Sequence, residues 1–124
     1  MSENRKSPLY KSFGYAFAGI IFCIRQERNM RIHLTAAVLV TAAGTVLRIS
    51  AVEWMLCLIL FGLIMSLEMV NTALEATVDL VTQEQAPLAK IAKDAAAGAV
   101  LVSSVMAAVI GLIIFLPKIF AFFA

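Results

Sequence analysis

Residues 95–117 constrain this chain most strongly, because these 23 consecutive residues carry no charged side chain. A helix that crosses the hydrocarbon core of a bilayer needs about 20 such residues. The chain of 124 residues is 62% hydrophobic and only 15% charged. A domain of this size has too much surface for its volume to hide so many apolar side chains in its own core. The composition therefore argues against a soluble monomer and predicts a single-domain, all-α integral membrane protein.

Two further segments are apolar enough to be membrane-spanning helices. The first, at about 30–50, has a short apolar centre and needs its flanks to cross the bilayer. The second, at about 54–80, begins at Trp54, a residue type common at membrane interfaces. Residues 50–53 are predicted to form a tight turn between these two spans. Before them, at about 9–29, apolar side chains recur at helical spacing beside basic ones, which predicts an amphipathic helix on the membrane surface.

The placement of lysine and arginine predicts the orientation of the spans. Six basic residues precede the first span, one lies between spans one and two, two lie between spans two and three, and one follows the third. Basic residues favour the cytoplasmic side. We therefore expect a multi-pass protein of the inner or plasma membrane, with the N-terminus and the 80–94 connection in the cytoplasm and the C-terminus outside. The ten residues are Arg5, Lys6, Lys11, Arg25, Arg28, Arg31, Arg48, Lys90, Lys93 and Lys118. The net charge of +2 gives no reason to expect nucleic acid as a partner.

A stripe of polar side chains in the second span carries the main functional signal. It consists of Glu68, Asn71, Glu75 and Asp79. At about 100° per residue, these positions fall within a sector of roughly 80° on one helix face. A charged acid at the bilayer centre costs about 2.5–3.5 kcal/mol on insertion scales, so the stripe requires water, a cation or the cytoplasmic interface. A solvated helix end is an alternative explanation for Asp79, but it suits Glu68 poorly because fourteen uncharged residues precede Glu68.

A divalent cation would remove the repulsion between these carboxylates. Mg²⁺ suits them because it is commonly held by one or two carboxylates and completed by waters and substrate phosphates. Glu27, beside the first span, is a further acid that could join the site. Lys93 and Asp94 stand where the third span enters the membrane; a lysine there suits phosphate oxygens, although an ordinary interfacial flank explains it too. His33, the one histidine, is interpreted as an interface or structural residue.

The residues by themselves predict a three-span membrane protein with an acidic, metal-binding site near the cytoplasmic leaflet, facing a lysine. They leave the substrate open. An ion carrier or channel-like protein could use the same acids for cations. A structural membrane subunit is a further alternative, but it leaves the single-faced stripe unexplained.

Two blocks of the sequence resemble the prokaryotic diacylglycerol kinase family. Residues 68–79 match the E-x-x-N-[ST]-A-[IL]-E-x-x-x-D signature of that family, and residues 92–100 look like its second block. Residues 27–33 are similar to the ERNxRxH stretch of the family's Gram-positive branch, whose members are typically undecaprenol kinases. Residues 53–55 and 111–118 are similar to that branch as well, so the resemblance runs from about residue 11 to about residue 118.

The resemblance implies a homotrimer in which each chain has a surface helix before three spans. It also implies transfer of the γ-phosphate of ATP to a lipid alcohol, most naturally undecaprenol, with diacylglycerol as the alternative. Glu68 matches the general base, and Glu27 and Glu75 match the acids that hold the Mg²⁺ of ATP. The implied nucleotide-binding positions are Tyr15, Glu27, Asn71, Glu75, Asp79, Glu84, Lys93 and Asp94. Enterobacterial members carry an arginine near position 8, where this chain has Pro8, so the lipid contacts of that arginine are not transferred.

Overall fold

The computed structural model describes residues 8–124, which form four helices. In chain order these are α1 (Leu9–Gln26), α2 (Arg28–Leu47), α3 (Ala51–Val81) and α4 (Pro87–Phe123). No strand occurs in the described range. The helices α2, α3 and α4 are each long and apolar enough to cross a membrane, which confirms the prediction of an all-α chain with three spans. Arg5 and Lys6, two of the basic residues counted before the first span, lie outside the described residues.

The break between α1 and α2 falls on Glu27, whose backbone is extended with φ −101° and ψ 118°. Arg31, in the first turn of α2, donates from its guanidinium to the carbonyls of Ile24 at 3.1 Å and Arg25 at 2.7 Å. The last carbonyls of a helix have no partner within that helix, so Arg31 caps the C-terminus of α1. The first helix therefore ends at Gln26 rather than near residue 29, and Glu27 is held at the junction.

A tight turn joins α2 to α3, but its predicted position at residues 50–53 is wrong. Arg48 closes α2 with left-handed backbone angles, φ 55° and ψ 56°. Ser50 then begins α3 with a capping box: its hydroxyl accepts from the Glu53 N–H at 3.2 Å, and the Glu53 carboxylate accepts from the Ser50 N–H at 2.9 Å. This reciprocal pair satisfies two backbone donors at the helix start. Residues 51–53 are helical for that reason.

The antiparallel pair of α3 and α4 provides most of the contacts between helices. The buried positions are Cys57, Leu60, Ile64, Glu68 and Asn71 on α3, and Ala96, Val100, Ser103 and Ile114 on α4. Most of their spacings are three or four residues, which keeps one face of each helix against the other. Ion pairs of Asp79 with Lys93 and of Glu53 with Lys118 stand near opposite ends of the pair. Counting inward from these pairs places Glu68 at the level of Ser103 and Ser104.

The helices α3 and α4 extend beyond a membrane span. At about 1.5 Å per residue, their 31 and 37 residues reach roughly 46 Å and 56 Å, against a hydrocarbon core of about 30 Å. Counting about 20 residues from the interfacial Trp54 ends the core near residue 73. Glu68 then lies inside the core, about five residues from its boundary. Asp79 and Lys93 lie beyond the boundary, on the part of the hairpin that projects from the membrane.

The helix α4 continues through Pro117 to Phe123, past the end of the predicted third span. Proline removes one backbone donor, but membrane helices tolerate it when neighbouring groups satisfy the freed carbonyl. At its other end, α4 begins at Pro87, well before residue 95, with proline in the first turn where its missing N–H costs nothing. The charged residues 90–94 are thus part of the same continuous helix as the third span.

A single chain leaves most of its apolar side chains uncovered. Leu58 on α3 is 71% exposed and Ile113 on α4 is 68% exposed. The buried hydrophobic cluster is small and consists of Ile49, Cys57 and Ile114. Apolar faces of this extent require lipid or another protein surface against them.

Candidate functional site

The polar stripe of α3 faces the interior of the helix bundle. Glu68 is 2% exposed and Asn71 is 8% exposed, while Glu75 is half-buried. These residues continue the buried seam that begins with apolar side chains nearer the start of α3. Asp79 is exposed, as expected for the part of α3 that leaves the membrane. Glu68 is therefore a buried acid, and the explanation as a solvated helix end does not apply to it.

Two buried oxygens of the stripe accept no hydrogen bond from any described residue: Glu68 Oε2 and Asn71 Oδ1. Asn71 donates from its amide nitrogen to Glu75 Oε1 at 3.0 Å, which leaves its amide oxygen without a donor. An unsatisfied buried polar group costs about 1–3 kcal/mol, and more when it is charged. Catalytic roles and bound ions or waters are recurrent reasons for such groups. These two oxygens can therefore bind a hydrogen-bond donor, a water or an ion that the described residues do not supply.

The α1–α2 junction brings a further acid close to the stripe. Glu27 is half-buried, and the charges of both Glu27 and Glu75 act on Glu68. Within residues 8–124, no three acidic, histidine or cysteine side chains already form a group that could hold a metal ion. Mg²⁺ needs fewer protein ligands than that, since waters and substrate phosphates complete its shell. The two carboxylates Glu27 and Glu75, beside the unpaired Asn71 oxygen, fit the oxygen ligands that this ion prefers.

His33 is the site residue that the sequence did not reveal. Its Nε2 lies 3.3 Å from Glu68 Oε2, and its side chain is 21% exposed. The distance is that of an ion pair, but the oxygen accepts no hydrogen bond in this arrangement. His33 falls on the inward face of α2 with Met30, Val40 and Gly44. That spacing was the available signal, but it could not identify Glu68, on another helix, as the partner.

A second group of charges lies where α3 ends and α4 begins. Lys93 Nζ is 2.6 Å from Asp79 Oδ1, and Lys90 is paired with Asp94 one turn along α4. Glu84, in the connection between the helices, lines the same cavity of about 130 Å³. The N-terminus of α4 adjoins this cavity, and the free N–H groups of a helix N-terminus favour anions. The two lysines add positive charge to that end of the helix.

Tyr15 belongs to neither group within a single chain. It lies on α1 with 69% of its surface exposed, and it lines neither the cavity beside Lys93 nor the groove described next. The predicted site residues are thus divided into three sets. The inner group consists of Glu27, Glu68, Asn71 and Glu75. The outer group consists of Asp79, Glu84, Lys93 and Asp94. Tyr15 belongs to neither group.

An apolar groove of about 490 Å³ opens between α2, α3 and α4. Side chains such as Val40, Phe61 and Ile64 form its walls. Apart from the Cys57 thiol, its polar lining is limited to His33 and Ser104. His33 contacts Glu68, and the register of α3 and α4 places Ser104 at the same depth. The groove is therefore polar at the level of Glu68 and apolar along the rest of its length.

The fold and the site define a small helical membrane protein in which one buried carboxylate and two half-buried ones lie between an apolar groove and a charged cavity. The family of prokaryotic diacylglycerol kinases matches residues 14–115 of the chain. The chain is 49% identical over 117 residues to the undecaprenol kinase of Bacillus subtilis, covering 94% of this chain and 95% of that protein. It is 43% identical over 112 residues to a diacylglycerol kinase of Synechocystis, covering 90% of this chain and 64% of that protein. A diacylglycerol kinase of Pseudomonas aeruginosa is 36% identical over 81 residues, or 65% of this chain and 66% of that protein.

The chain belongs to the prokaryotic diacylglycerol kinase family. The resemblance seen in its two sequence blocks is thereby confirmed.

Proposed function

We propose that this protein is a membrane lipid kinase that transfers the γ-phosphate of ATP to undecaprenol and yields undecaprenyl phosphate. The observation that carries this proposal is the buried carboxylate of Glu68, whose Oε2 has no hydrogen-bond donor among the described residues. This carboxylate contacts His33, which lines the polar end of an apolar groove. The 49% identity with an undecaprenol kinase over nearly the whole of both proteins supports this acceptor. Diacylglycerol is the second candidate, supported by the more distant relatives that carry that name.

Glu68 acts as the general base in this proposal. The acceptor hydroxyl approaches Glu68 from the groove, within hydrogen-bond reach of its free oxygen. As the carboxylate takes the hydroxyl proton, the acceptor oxygen forms a bond to the γ-phosphorus of ATP. The bond from that phosphorus to the bridging oxygen of ADP breaks, and ADP leaves with the electron pair. The proton remains on Glu68 and returns to solvent after the products depart.

The outer group of charges is suited to the phosphates of ATP. Lys93, now paired with Asp79, exchanges this partner for phosphate oxygens when the nucleotide binds, and Lys90 adds charge beside it. Asp94 and Glu84 lie on the same cavity and contact the nucleotide. Phosphoryl transfer relies mainly on positioning and charge neutralisation, so this arrangement provides the greater part of what the reaction needs.

Glu27 and Glu75 would hold the Mg²⁺ that accompanies ATP, while Asn71 and Asp79 would support the site. When bound, the ion neutralises phosphate charge that develops during transfer. Asn71 already holds the Glu75 carboxylate through its amide nitrogen, which fixes the direction of this ligand. Glu68 and Glu75 lie at different depths along α3. At about 1.5 Å per residue, they are roughly 10 Å apart along the helix axis, which leaves room for the transferred phosphate between them.

The site end of the bundle faces the cytoplasm, where ATP is available, and the C-terminus lies outside. The helix α1 lies on the membrane surface, with its exposed Phe13, Phe17 and Ile21 directed into the lipid.

Three chains assemble into a homotrimer, which covers part of the apolar faces that one chain leaves open and brings Tyr15 to the nucleotide. Small residues of α4 such as Ala95, Ala97 and Ala99 permit close helix approach. A catalytically active monomer, identified by crosslinking and by mass measurement in detergent, would contradict this assembly.

The test of the proposed function is a transfer assay with ATP labelled on the γ-phosphate. Purified protein is supplied with undecaprenol or with diacylglycerol in the same detergent, with and without Mg²⁺. We expect labelled undecaprenyl phosphate as the main product. Faster labelling of diacylglycerol would select the second candidate. An ion carrier would label neither lipid, and its cation flux would be indifferent to changes at Lys93 and Asp94.

A further inference from the structure

His33 is a chemically versatile side chain that the mechanism above does not use. It lies on α2 and is the only polar residue of that helix that lines the groove. Its Nε2 is 3.3 Å from Glu68 Oε2, and the two side chains are 21% and 3% exposed. This oxygen accepts no hydrogen bond from any described residue, so the contact with His33 at ion-pair distance is its nearest polar interaction. His33 is thus placed against the one functional group on which the proposed chemistry depends.

We propose that His33 is a positioning residue for phosphoryl transfer: its ring holds the Glu68 carboxylate toward the polar end of the groove, where the acceptor hydroxyl arrives. The proposal rests on the proposed function, because it assigns His33 a role in the same site. It goes beyond that function by adding a residue of α2 to a site otherwise built from α3, α4 and the α1–α2 junction.

A glutamate needs such a partner because the torsion at its carboxyl end is broad and has no sharp staggered minima. In the bundle interior, an unanchored Glu68 carboxylate would rotate among several orientations, and only some of them would direct an oxygen into the groove. The imidazole Nε2 of His33, 3.3 Å from Oε2, restricts this rotation. Contacts of catalytic groups are often long or poorly aligned without substrate and tighten in the productive complex.

The groove supplies an independent reason for this assignment. His33 both contacts Glu68 and lines the groove, whose other walls are almost entirely apolar. A hydroxyl that enters from the apolar side therefore meets His33 and Glu68 together. One face of the ring bounds the acceptor, while Nε2 orients the base. An apolar side chain at position 33 would preserve the first contact and abolish the second, which makes the role testable.

The test uses the full-length protein in detergent and measures kcat, the KM for ATP and the KM for undecaprenol. Two variants change the residue, His33→Leu and His33→Gln, because the glutamine amide retains a donor that can reach the carboxylate. Thr41→Val on the same helix is the matched control, since the Thr41 hydroxyl is exposed and bonds only to the Ala37 carbonyl of its own helix. Thermal unfolding of each variant is recorded so that a loss of folding is recognised.

We expect His33→Leu to lower kcat by about 10–100-fold, part of the usual worth of a positioned acid or base, with less than a twofold change in the KM for ATP. His33→Gln should recover most of this loss, and Thr41→Val should match the wild type. In a Glu68→Asp variant, the shorter carboxylate no longer contacts His33. Adding His33→Leu to this variant should therefore reduce kcat by less than a further twofold.

Three results would overturn the role of His33 while leaving the kinase itself intact. A normal kcat in His33→Leu would show that Glu68 needs no such partner. A change confined to the KM for undecaprenol would make His33 only a wall of the groove. An equal loss in the Glu68→Asp background would show that His33 acts independently of Glu68. An inactive wild type on every lipid alcohol would instead contradict the proposed function.

Discussion

The α3–α4 hairpin holds one acid at its end near the α2–α3 turn and another in its interior, and only the first has its hydrogen-bond and ion-pair partners in place. At the end near the α2–α3 turn, Glu53 accepts from the Ser50 N–H at 2.9 Å and meets Lys118 Nζ at 3.2 Å. In the interior of the hairpin, Glu68 is more deeply buried, and one of its oxygens accepts no hydrogen bond from any described residue. The first arrangement completes the structure by itself, whereas the second leaves a charge that only a substrate, an ion or a protonation step can satisfy.

This difference separates acids that serve folding from acids that serve a reaction. Glu53 caps a helix and joins two helices, so its carboxylate has little freedom left. Glu68 contributes no cap, and in the membrane interior its charge is costly. The fold retains this cost at one position on α3 and places against it a histidine that also lines the apolar groove. A buried acid without hydrogen-bond donors, rather than an acid as such, therefore indicates the functional region.

The largest expected effect is that of Glu68→Gln on turnover. The amide keeps the size of the side chain but cannot accept the hydroxyl proton, so kcat should fall by roughly 10²–10⁴-fold. The affinity for Mg²⁺·ATP should stay close to that of the wild type, because the nucleotide groups lie nearer the membrane surface. Single-turnover rates and nucleotide binding are measured separately. Glu53→Gln, at the other end of the same helix, is the matched control and should keep its activity.

The next effect is that of Glu75→Gln, which removes an anionic ligand without changing helix propensity much. Activity at ordinary Mg²⁺ should be largely lost because Mg²⁺·ATP binding is weakened. A titration with Mg²⁺ should restore part of the rate, since the defect is in binding. Wild-type activity at ordinary Mg²⁺ would remove Glu75 from the metal site.

A smaller effect is expected for Lys93→Met, because the proposed cavity holds a second lysine, Lys90, that partly compensates. The KM for ATP should rise by roughly tenfold, which corresponds to about 1.4 kcal/mol, with little change in lipid binding. Lys118→Met is the control, since Lys118 belongs to the opposite end of the hairpin. If both KM and kcat are unchanged in Lys93→Met, the lysine is only an interfacial flank.

The smallest effect is that of breaking the ion pair between Glu53 and Lys118. The two side chains are 24% and 31% exposed, so solvent screens the pair and its loss should cost little stability. Lys118→Met should therefore lower the unfolding midpoint in detergent slightly and leave kcat unchanged. A large loss of activity in this variant would erase the distinction between the two ends.

Much of the architecture was predictable because helix periodicity and hydropathy are local properties. The three spans follow from runs of apolar residues, and the shared face of Glu68, Asn71 and Glu75 follows from spacing along one helix. The predicted turn at residues 50–53 is wrong because Ser50 and Glu53 form the capping box that starts α3. Polar residues at this spacing are common both in turns and at helix starts.

Contacts between helices could not be predicted in this way. Periodicity gives the face on which His33 lies, but not that this face meets Glu68 on another helix. The same holds for Arg31, whose reach back to the carbonyls of Ile24 and Arg25 sets the position of Glu27. The pairing of Lys93 with Asp79 depends on the register of α3 against α4. Each of these contacts is decided by how the helices pack, which a pattern along one helix does not encode.

The most direct test compares the thermal stability of Glu68→Gln and Glu53→Gln in the same detergent. If Glu68 is held as an unsatisfied charge for the reaction, its neutral amide relieves a buried charge, and the unfolding midpoint should equal or exceed that of the wild type while activity is lost. Glu53→Gln should show the reverse, a lower midpoint with activity retained. A Glu68→Gln variant that unfolds earlier than Glu53→Gln, or that keeps its activity, would contradict the functional assignment of Glu68.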